Sequence, residues 1–554
     1  MPVQGAGTRE NPIPKNLAPR TQKMSEDPTY RVVLKPVQTE LTAPAGTALR
    51  DLLFAQGVEF PCGGQGRCRG CRVHVLEGQA SINDAQRERL SAEELAGGWR
   101  LACQCALQDD LVIELRQWDA AILVDETPFA FKPREGTGVA VDLGTTTLVT
   151  QLLDLRTGRV LAVRTALNSQ ARFGADVMSR VQFAVPKGGA QQLRDLIHQQ
   201  IGSLIEQLMF SAQAPAGDIT DVVVVGNTVM HHLFCGLDIE PLSRYPFESE
   251  QLGLQTFRGQ DLGWRLSGSA RVRFLPCLGG FVGSDILAGI LATNLAEHAD
   301  LNGLVDLGTN GEIVIGNRQH LLCASTAAGP AFEGARISMG MRAATGAISE
   351  VIVKDHSIQC RVLGNVPPQG LCGSGLVDAV AAGLELGRIQ PSGRFSGGNG
   401  AWELAAPVVL TQSDIRELQL AKGAIAAGIR LLLDRFGATA GDLKKLYLAG
   451  AFGNYINRAS AQRIGLISFP AEKVEAAGNT ALLGAKLALF RPEGEDGSYA
   501  RLRHQTEHVP LNADQGFQET FVEEMVFPDR GTGNWDLGAG ETPQPSAWHP
   551  APKT

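Results

Sequence analysis

The feature that most constrains this chain is an internal repeat. GVAVDLGTTTLVTQLLDLRTGRVLAVRTAL begins at Gly138, and GLVDLGTNGEIVIGNRQHLLCAS begins at Gly303. Each copy reads as a strand ending in Asp-Leu-Gly-Thr, a tight turn, a second strand, a polar turn and a third strand. The likeness continues downstream. A long helical pattern, QQLRDLIHQQIGSLIEQLMF, precedes the strand and loop VVVVGNTVM near Gly226, and ELQLAKGAIAAGIRLLLDRF precedes LYLAGAFGNY near Gly450. A β-rich unit backed by a helix and present twice predicts two lobes with a cleft between them.

A lone Asp-Leu-Gly-Thr is more often an ordinary strand-ending turn than a ligand site. Two copies, in register with the rest of a repeat, point to a paired grip on one ligand. The P-loop pattern G-x-x-x-x-G-K-[ST] is absent. Together these motifs resemble the acetate kinase, sugar kinase, heat-shock chaperone and actin (ASKHA) superfamily, an actin-like fold that duplicates an RNase H-like unit. The resemblance implies ATP and Mg2+ as ligands. It assigns Asp142, Gly144, Thr145 and Thr146 to a first phosphate turn, and Asp306, Gly308, Thr309, Asn310 and Gly311 to a second. Gly450, Gly453 and Asn454 fall at the adenosine site. The chemistry suits these roles: glycine lets backbone N–H groups face phosphate oxygens, threonine hydroxyls add donors, and aspartate holds Mg2+ through water. Asp142, Asp306 and Glu312 are the candidate catalytic carboxylates, and the sequence does not choose among them. Glu333, in the Gly-rich loop AGPAFEGARISMG, is a further carboxylate that could face the cleft.

Ten cysteines raise a second constraint, because five of them fall between Cys62 and Cys105. No apolar run approaches the roughly eighteen residues of a membrane span, and the polar, Pro-rich N-terminus has no apolar h-region. A cytoplasmic location is therefore expected, where a local cysteine cluster reads as a metal site and not as disulfides. A net charge of −8 argues against a nucleic-acid partner. Cys62, Cys68, Cys71 and Cys103 stand as C-x5-C-x2-C-x31-C. Thiolates are the soft ligands that an iron–sulfur cluster requires, four to a cluster. Around them lie a strand (YRVVLKP), a helix carrying Leu49, Leu52 and Leu53 with Thr47 as its cap, the strand CRVHVLEG, and a final strand LVIEL. This unit resembles the 2Fe–2S ferredoxins and implies their β-grasp fold, with a first interval one residue longer than in the plant type, as in the adrenodoxin-like branch. A structural zinc site is the competing reading, although zinc more often uses two C-x-x-C pairs. Cys105 is the alternative fourth ligand, since strand alternation would place it on the same face as Cys103.

The expected chain is thus an α+β multidomain protein. Residues 1–29 read as a disordered leader, 30–115 as the ferredoxin-type domain, 116–136 as a linker, 137–300 and 301–528 as the two lobes, and 529–554 as a disordered tail. A ferredoxin-type domain ahead of an ATPase, with GVAVDLGTTT, GNTVMHHLF, DLGTNGE, AGPAFEGA, GLCGSGL and LAGAFGNYI, resembles the reductive activators of corrinoid proteins over about residues 30–528. That resemblance implies ATP-driven delivery of one electron to a corrinoid protein of a methyltransferase system, returning inactive Co(II) to Co(I). A separate electron donor is then expected to reduce the cluster, and the lack of a long apolar run leaves no membrane partner expected. The short linker leaves no room for the extra domain some members carry, so a homodimer built on that domain stays open. Two rivals differ in prediction. An activator of a dehydratase or aromatic-ring reductase would usually hold a four-iron cluster between subunits, and a redox-gated ATP-binding protein would show no partner-stimulated turnover. His231 and His232 lack a third ligand at suitable spacing and read as helix residues. Cys372, in GLCGSGLVDA, reads as a small packed residue.

Overall fold

The computed structural model describes residues 28–35, 39–54, 71–114, 131–174, 176–214, 218–334, 336–344, 346–397, 400–453, 456–491, 496–511, 514 and 516–529. Cys62, Cys68, Asn454 and most of the expected leader, linker and tail lie outside these residues.

The N-terminal unit is a five-stranded sheet of β1 (Thr29–Lys35), β2 (Thr39–Pro44), β3 (Arg72–Glu77), β4 (Trp99–Leu101) and β5 (Leu111–Glu114), in the order β2-β1-β5-β3-β4. β1 and β5 run parallel, and the other pairs are antiparallel. Three short helices, α1 (Leu49–Phe54), α2 (Asp84–Arg89) and α3 (Ala92–Ala96), complete it. Alternation along β1 sends Val32 and Leu34 inward, where they meet Leu49 and Leu53, one helical turn apart on α1. Each such leucine contributes about 1.5–3 kcal/mol by leaving water. Thr47 does not cap α1; its hydroxyl donates back to the Pro44 carbonyl at 2.7 Å.

The repeat appears as two sheets of the same plan. The first holds β6 (Thr137–Leu143), β7 (Thr147–Asp154), β8 (Val160–Leu167), β9 (Ile219–Gly226), β10 (Gln255–Arg258) and β11 (Arg271–Phe274), ordered β10-β11-β9-β6-β7-β8. The second lobe contributes β12 (Asn302–Leu307), β13 (Gly311–Gly316) and β14 (Leu321–Thr326), then a three-stranded appendage of β15 (Ala347–Lys354), β16 (Ser357–Val362) and β17 (Gly370–Leu371). The hairpin β18 (Ala401–Ala405) and β19 (Val408–Thr411) follows, before β20 (Lys445–Ala449), β21 (Val474–Gly478) and β22 (Thr506–His508). Its main sheet is ordered β21-β20-β12-β13-β14-β22. In both lobes an antiparallel three-strand meander, β6-β7-β8 or β12-β13-β14, is joined on one side by a parallel strand, β9 or β20.

The helices of this part are α4 (Val177–Ala184), α5 (Ala190–Ala212), α6 (Thr228–Cys235), α7 (Ser284–Thr293), α8 (Gly373–Glu385), α9 (Gln412–Phe436), α10 (Gly450–Gly453), α11 (Arg458–Arg463), α12 (Thr480–Leu489), α13 (Asp496–Gln505) and α14 (Phe517–Glu524). α5 and α9, the two long helices read from the repeat, pack on β7–β8 and β13–β14 respectively. α7 and α12 lie between the lobes. One apolar cluster joins Ala140 and Val223 of the first sheet, Ile286 and Ile290 of α7, Leu482 and Ala485 of α12, and Leu304 and Val314 of the second sheet. The two helices cross closely at Gly484, where a Cβ would sit 2.1 Å from the Ala288 carbonyl oxygen. α12 also packs on β6 and β9, so the chain returns to the first lobe before it adds β22 to the second sheet.

Candidate functional site

The two Asp-Leu-Gly-Thr segments form turns at corresponding places, the first one residue longer, since Leu143 pairs with Leu148 but Leu307 with Gly311. In the first, between β6 and β7, the Gly144 N–H donates to the Thr147 carbonyl at 3.1 Å; in the second, between β12 and β13, the Gly308 N–H donates to the Asn310 carbonyl at 3.1 Å. The turns face each other across the cleft, with the Thr146 and Thr309 hydroxyls 3.3 Å apart. Thr309 also donates to Glu333 Oε1 at 2.5 Å, which places the loop glutamate at the cleft as the sequence suggested.

The first turn is braced from behind. Asn168 Nδ2 donates to the Gly144 carbonyl at 2.9 Å, Asn227 Nδ2 to Thr145 Oγ1 at 2.8 Å, and Arg180 Nη2 to the Thr145 carbonyl at 2.5 Å. Arg180 is fully buried and also donates to the Gly174 carbonyl at 2.9 Å. Burial pushes its pKa down to about 9, which still leaves it cationic at neutral pH. None of these three supports was foreseen from the sequence, because each meets the turn only through tertiary contact.

The cleft floor is acidic. Asp142 and Asp306 are the next-to-last residues of β6 and β12, Glu312 lies on β13, and Asp285 lies in the first turn of α7. The three aspartates are half-buried and Glu312 is buried. Burial raises Asp142 to about 6, partly offset by Asn479 Nδ2, which donates to its Oδ2 at 2.8 Å. Burial, then repulsion from Asp142, raises Asp285 to about 7. Burial, then repulsion from Asp285 and Asp142, raises Asp306 to about 7. Glu312 is likewise held well above the usual carboxylate range, by burial and by Asp285 and Asp306. Asp285 was missed. Its only sequence signal is an acidic residue opening an apolar helix after the glycine run LGGFVGSD. A bond between the Gly226 N–H and Ser284 Oγ at 3.0 Å ties the start of α7 to the end of β9 and so brings Asp285 to the cleft.

Of the remaining residues assigned to the nucleotide, Gly311, Gly450 and Gly453 lie among those described. Gly311 begins β13, and its carbonyl accepts from Thr326 Oγ1 at 3.1 Å. Gly450 opens α10 directly against Asp306, whose Oδ1 would lie 2.6 Å from a Cβ placed there. Gly453 ends the same helix.

In the N-terminal unit, β3 and β4 pair Arg72 with Leu101, and the Ala102 N–H donates to the Cys71 carbonyl at 3.0 Å. Cys71 and Cys103 thereby leave neighbouring strands at the same end. Cys103 is partly exposed, with Gln104 Nε2 3.4 Å from its Sγ. Cys105 turns into the core, where its Sγ lies 3.4 Å from the Leu101 carbonyl and burial pushes its thiol up to about 11. A 3-10 turn over Ala102–Gln104 breaks the two-residue alternation that would have put both on one face.

His231 and His232 are buried within α6. His232 bridges the Thr228 carbonyl at 2.9 Å and Ser249 Oγ at 2.8 Å, and burial drives His231 down to about 3, so this pair is neutral packing. Cys372 is buried at the start of α8, 3.3 Å from Ser374 Oγ.

Residues 300–536 match the C-terminal domain of RACo, the ASKHA domain. Residues 137–298 match the RACo middle region, and residues 32–108 match the 2Fe-2S iron-sulfur cluster binding domain. The chain is 31% identical to the corrinoid activation enzyme RamQ of Eubacterium limosum, over 90% of this chain and 99% of that protein. It is 27% identical to the Co(II) methylated amine-specific corrinoid protein reductase of Methanosarcina barkeri, over 71% of this chain and 77% of that protein. A solved structure of a reductive activator for corrinoid, iron-sulfur protein superposes with a TM-score of 0.65 at 28% identity, covering 90% of this chain and 99% of that one.

Proposed function

This chain belongs to the RACo family of corrinoid activators, and from that premise we propose that it reactivates a corrinoid protein of a methyltransferase system by ATP-dependent delivery of one electron, taking inactive Co(II) to Co(I). The architecture is a 2Fe–2S ferredoxin unit followed by the two-lobed ASKHA fold. Cys62, Cys68, Cys71 and Cys103 would hold the cluster, which supplies one-electron transfer. The partly exposed Cys103, at the same end of the sheet as Cys71, with Cys105 turned inward, fits that set. A separate donor of low potential reduces the cluster between turnovers.

The observation that carries the nucleotide half is the meeting of the two turns at Thr146 and Thr309, 3.3 Å apart, above four carboxylates. Phosphate oxygens beside this meeting point would take N–H and hydroxyl donors from both turns at once, and so hold the lobes in one arrangement. Among the described residues no three His, Cys, Asp or Glu side chains converge to ligate one ion directly. Asp142 and Asp306 would hold Mg2+ through water, as the motif's resemblance implies. The raised carboxyl pKa values fit a site that awaits a cation, since a nearby positive charge restores ionisation. ATP can drive delivery only if it favours one lobe arrangement over the other. For one electron, a gap of about 200 mV opposes transfer by roughly 5 kcal/mol, which such coupling must offset.

Two variants separate the halves of this reading. Cys68→Ser should abolish electron delivery and leave ATP binding intact. Asp306→Ala should leave the cluster reducible and stop ATP-driven delivery. Undiminished delivery by either variant overturns the coupled reading.

A further inference from the structure

The loop between Gly334 and β15 reaches across the cleft. Arg342 is half-buried, and its Nη2 donates to Thr147 Oγ1 at 3.2 Å, joining residues 195 positions apart. Thr147 closes the first turn by accepting the Gly144 N–H. Among the described residues, two arginines thus touch this turn. Arg180 approaches from behind, fully buried and bonded to the Thr145 and Gly174 carbonyls, Gln170 Oε1 and Met230 Sδ, whereas Arg342 arrives from the opposite lobe.

The loop that carries Arg342 is fastened to the second lobe. The Ser338 N–H donates to Asp414 Oδ1 at 2.6 Å, and Ser338 Oγ lies 3.1 Å from Thr411 Oγ1 at the start of α9. The Met341 N–H donates to the Leu371 carbonyl at 3.0 Å, and the Leu371 N–H to the Met339 carbonyl at 2.9 Å. The backbone that carries Arg342 is therefore held by the second lobe.

We infer that Arg342 distinguishes ATP from ADP: it exchanges the Thr147 hydroxyl for an oxygen of the terminal phosphate and locks the lobes around the triphosphate. The inference rests on the nucleotide reading above. A guanidinium binds phosphate with two parallel, charge-assisted N–H bonds, so a phosphate oxygen outcompetes a neutral hydroxyl. ATP biases lobe closure only through a contact that needs the additional phosphate and spans both lobes. Arg342 is borne by one lobe and already reaches the phosphate turn of the other.

The test compares binding of Mg-ATP and Mg-ADP to the wild-type full chain, Arg342→Gln and Arg342→Lys, with thermal unfolding and the visible spectrum of the cluster as folding controls. Arg342→Gln should weaken Mg-ATP by about tenfold or more, the size of one lost charge-assisted bond, while Mg-ADP changes by less than about twofold. Arg342→Lys should recover part of the loss, because lysine keeps the charge but not the fork. Equal weakening of both nucleotides, or an unchanged ATP preference, overturns this role and leaves the nucleotide reading standing. Failure of the wild-type chain to bind either nucleotide overturns both.

Discussion

Replacing Asp306 with Asn should stabilise the nucleotide-free protein at pH 8 and not at pH 5. Asp306 is half-buried and faces Asp142 and Asp285, and its carboxyl group is raised from 3.8 to about 7. The folded state thus holds a proton that the unfolded chain would release. Stability is therefore depressed above the folded value and is recovered as pH falls through about 7 toward 4. The full difference corresponds to roughly 4 kcal/mol at alkaline pH. Water reaching the open side of the cleft, and relaxation among the coupled carboxylates, reduce the recoverable part to about 2 kcal/mol. For a lobe of this size that is a rise in unfolding temperature of about 4–8 °C. The assay is thermal unfolding of the wild type and Asp306→Asn by circular dichroism, at pH 5 and pH 8, with chelator and no nucleotide. Adding Mg-ATP at pH 8 should remove the advantage, because the wild-type carboxylates then have a cation to face. An equal effect at both pH values, or destabilisation at pH 8, would refute the reasoning.

Other positions give independent checks. Cys103→Ser should lose the visible absorbance of the cluster, whereas Cys105→Ala should keep it and lower stability by about 1 kcal/mol through a small core defect; the opposite pattern would exchange their roles. Gly484→Val should loosen the contact between α12 and α7 by about 2–3 kcal/mol, since its Cβ would meet the Ala288 carbonyl at 2.1 Å, and an unchanged unfolding temperature would contradict that packing. Arg180→Met should cost about 3 kcal/mol by leaving the Thr145 and Gly174 carbonyls without their donor. It should also weaken nucleotide binding while leaving cluster absorbance intact, as equilibrium titration of both signals would report.

The legible parts of this protein are those in which chemistry follows chain order. The Asp-Leu-Gly-Thr turns could be read because strand, turn and strand are consecutive, and duplication implied the cleft. The spacing of Cys62, Cys68 and Cys71 could be read for the same reason. What stayed hidden depends on long-range packing. Asp285 reaches the acidic floor only because α7 crosses between the lobes, and nothing in its local sequence reports Asp142 as a neighbour. The return of α12 to the first lobe is written in apolar residues that would serve equally well against either sheet. Arg342 and Thr147 meet across 195 positions. Cys105 shows a subtler limit: alternation holds only while the strand lasts, and the 3-10 turn over Ala102–Gln104 ends it.

The most direct measurement is anaerobic and follows cobalt. The protein is reduced, mixed with a Co(II) corrinoid protein, and the visible spectrum is recorded with Mg-ATP, with Mg-ADP and with neither. The Co(I) spectrum should develop only with Mg-ATP, at the expense of the reduced cluster. Equal Co(I) formation in all three samples would contradict the claim that nucleotide drives delivery, and no Co(I) in any of them, despite a reducible cluster, would contradict the corrinoid partner itself.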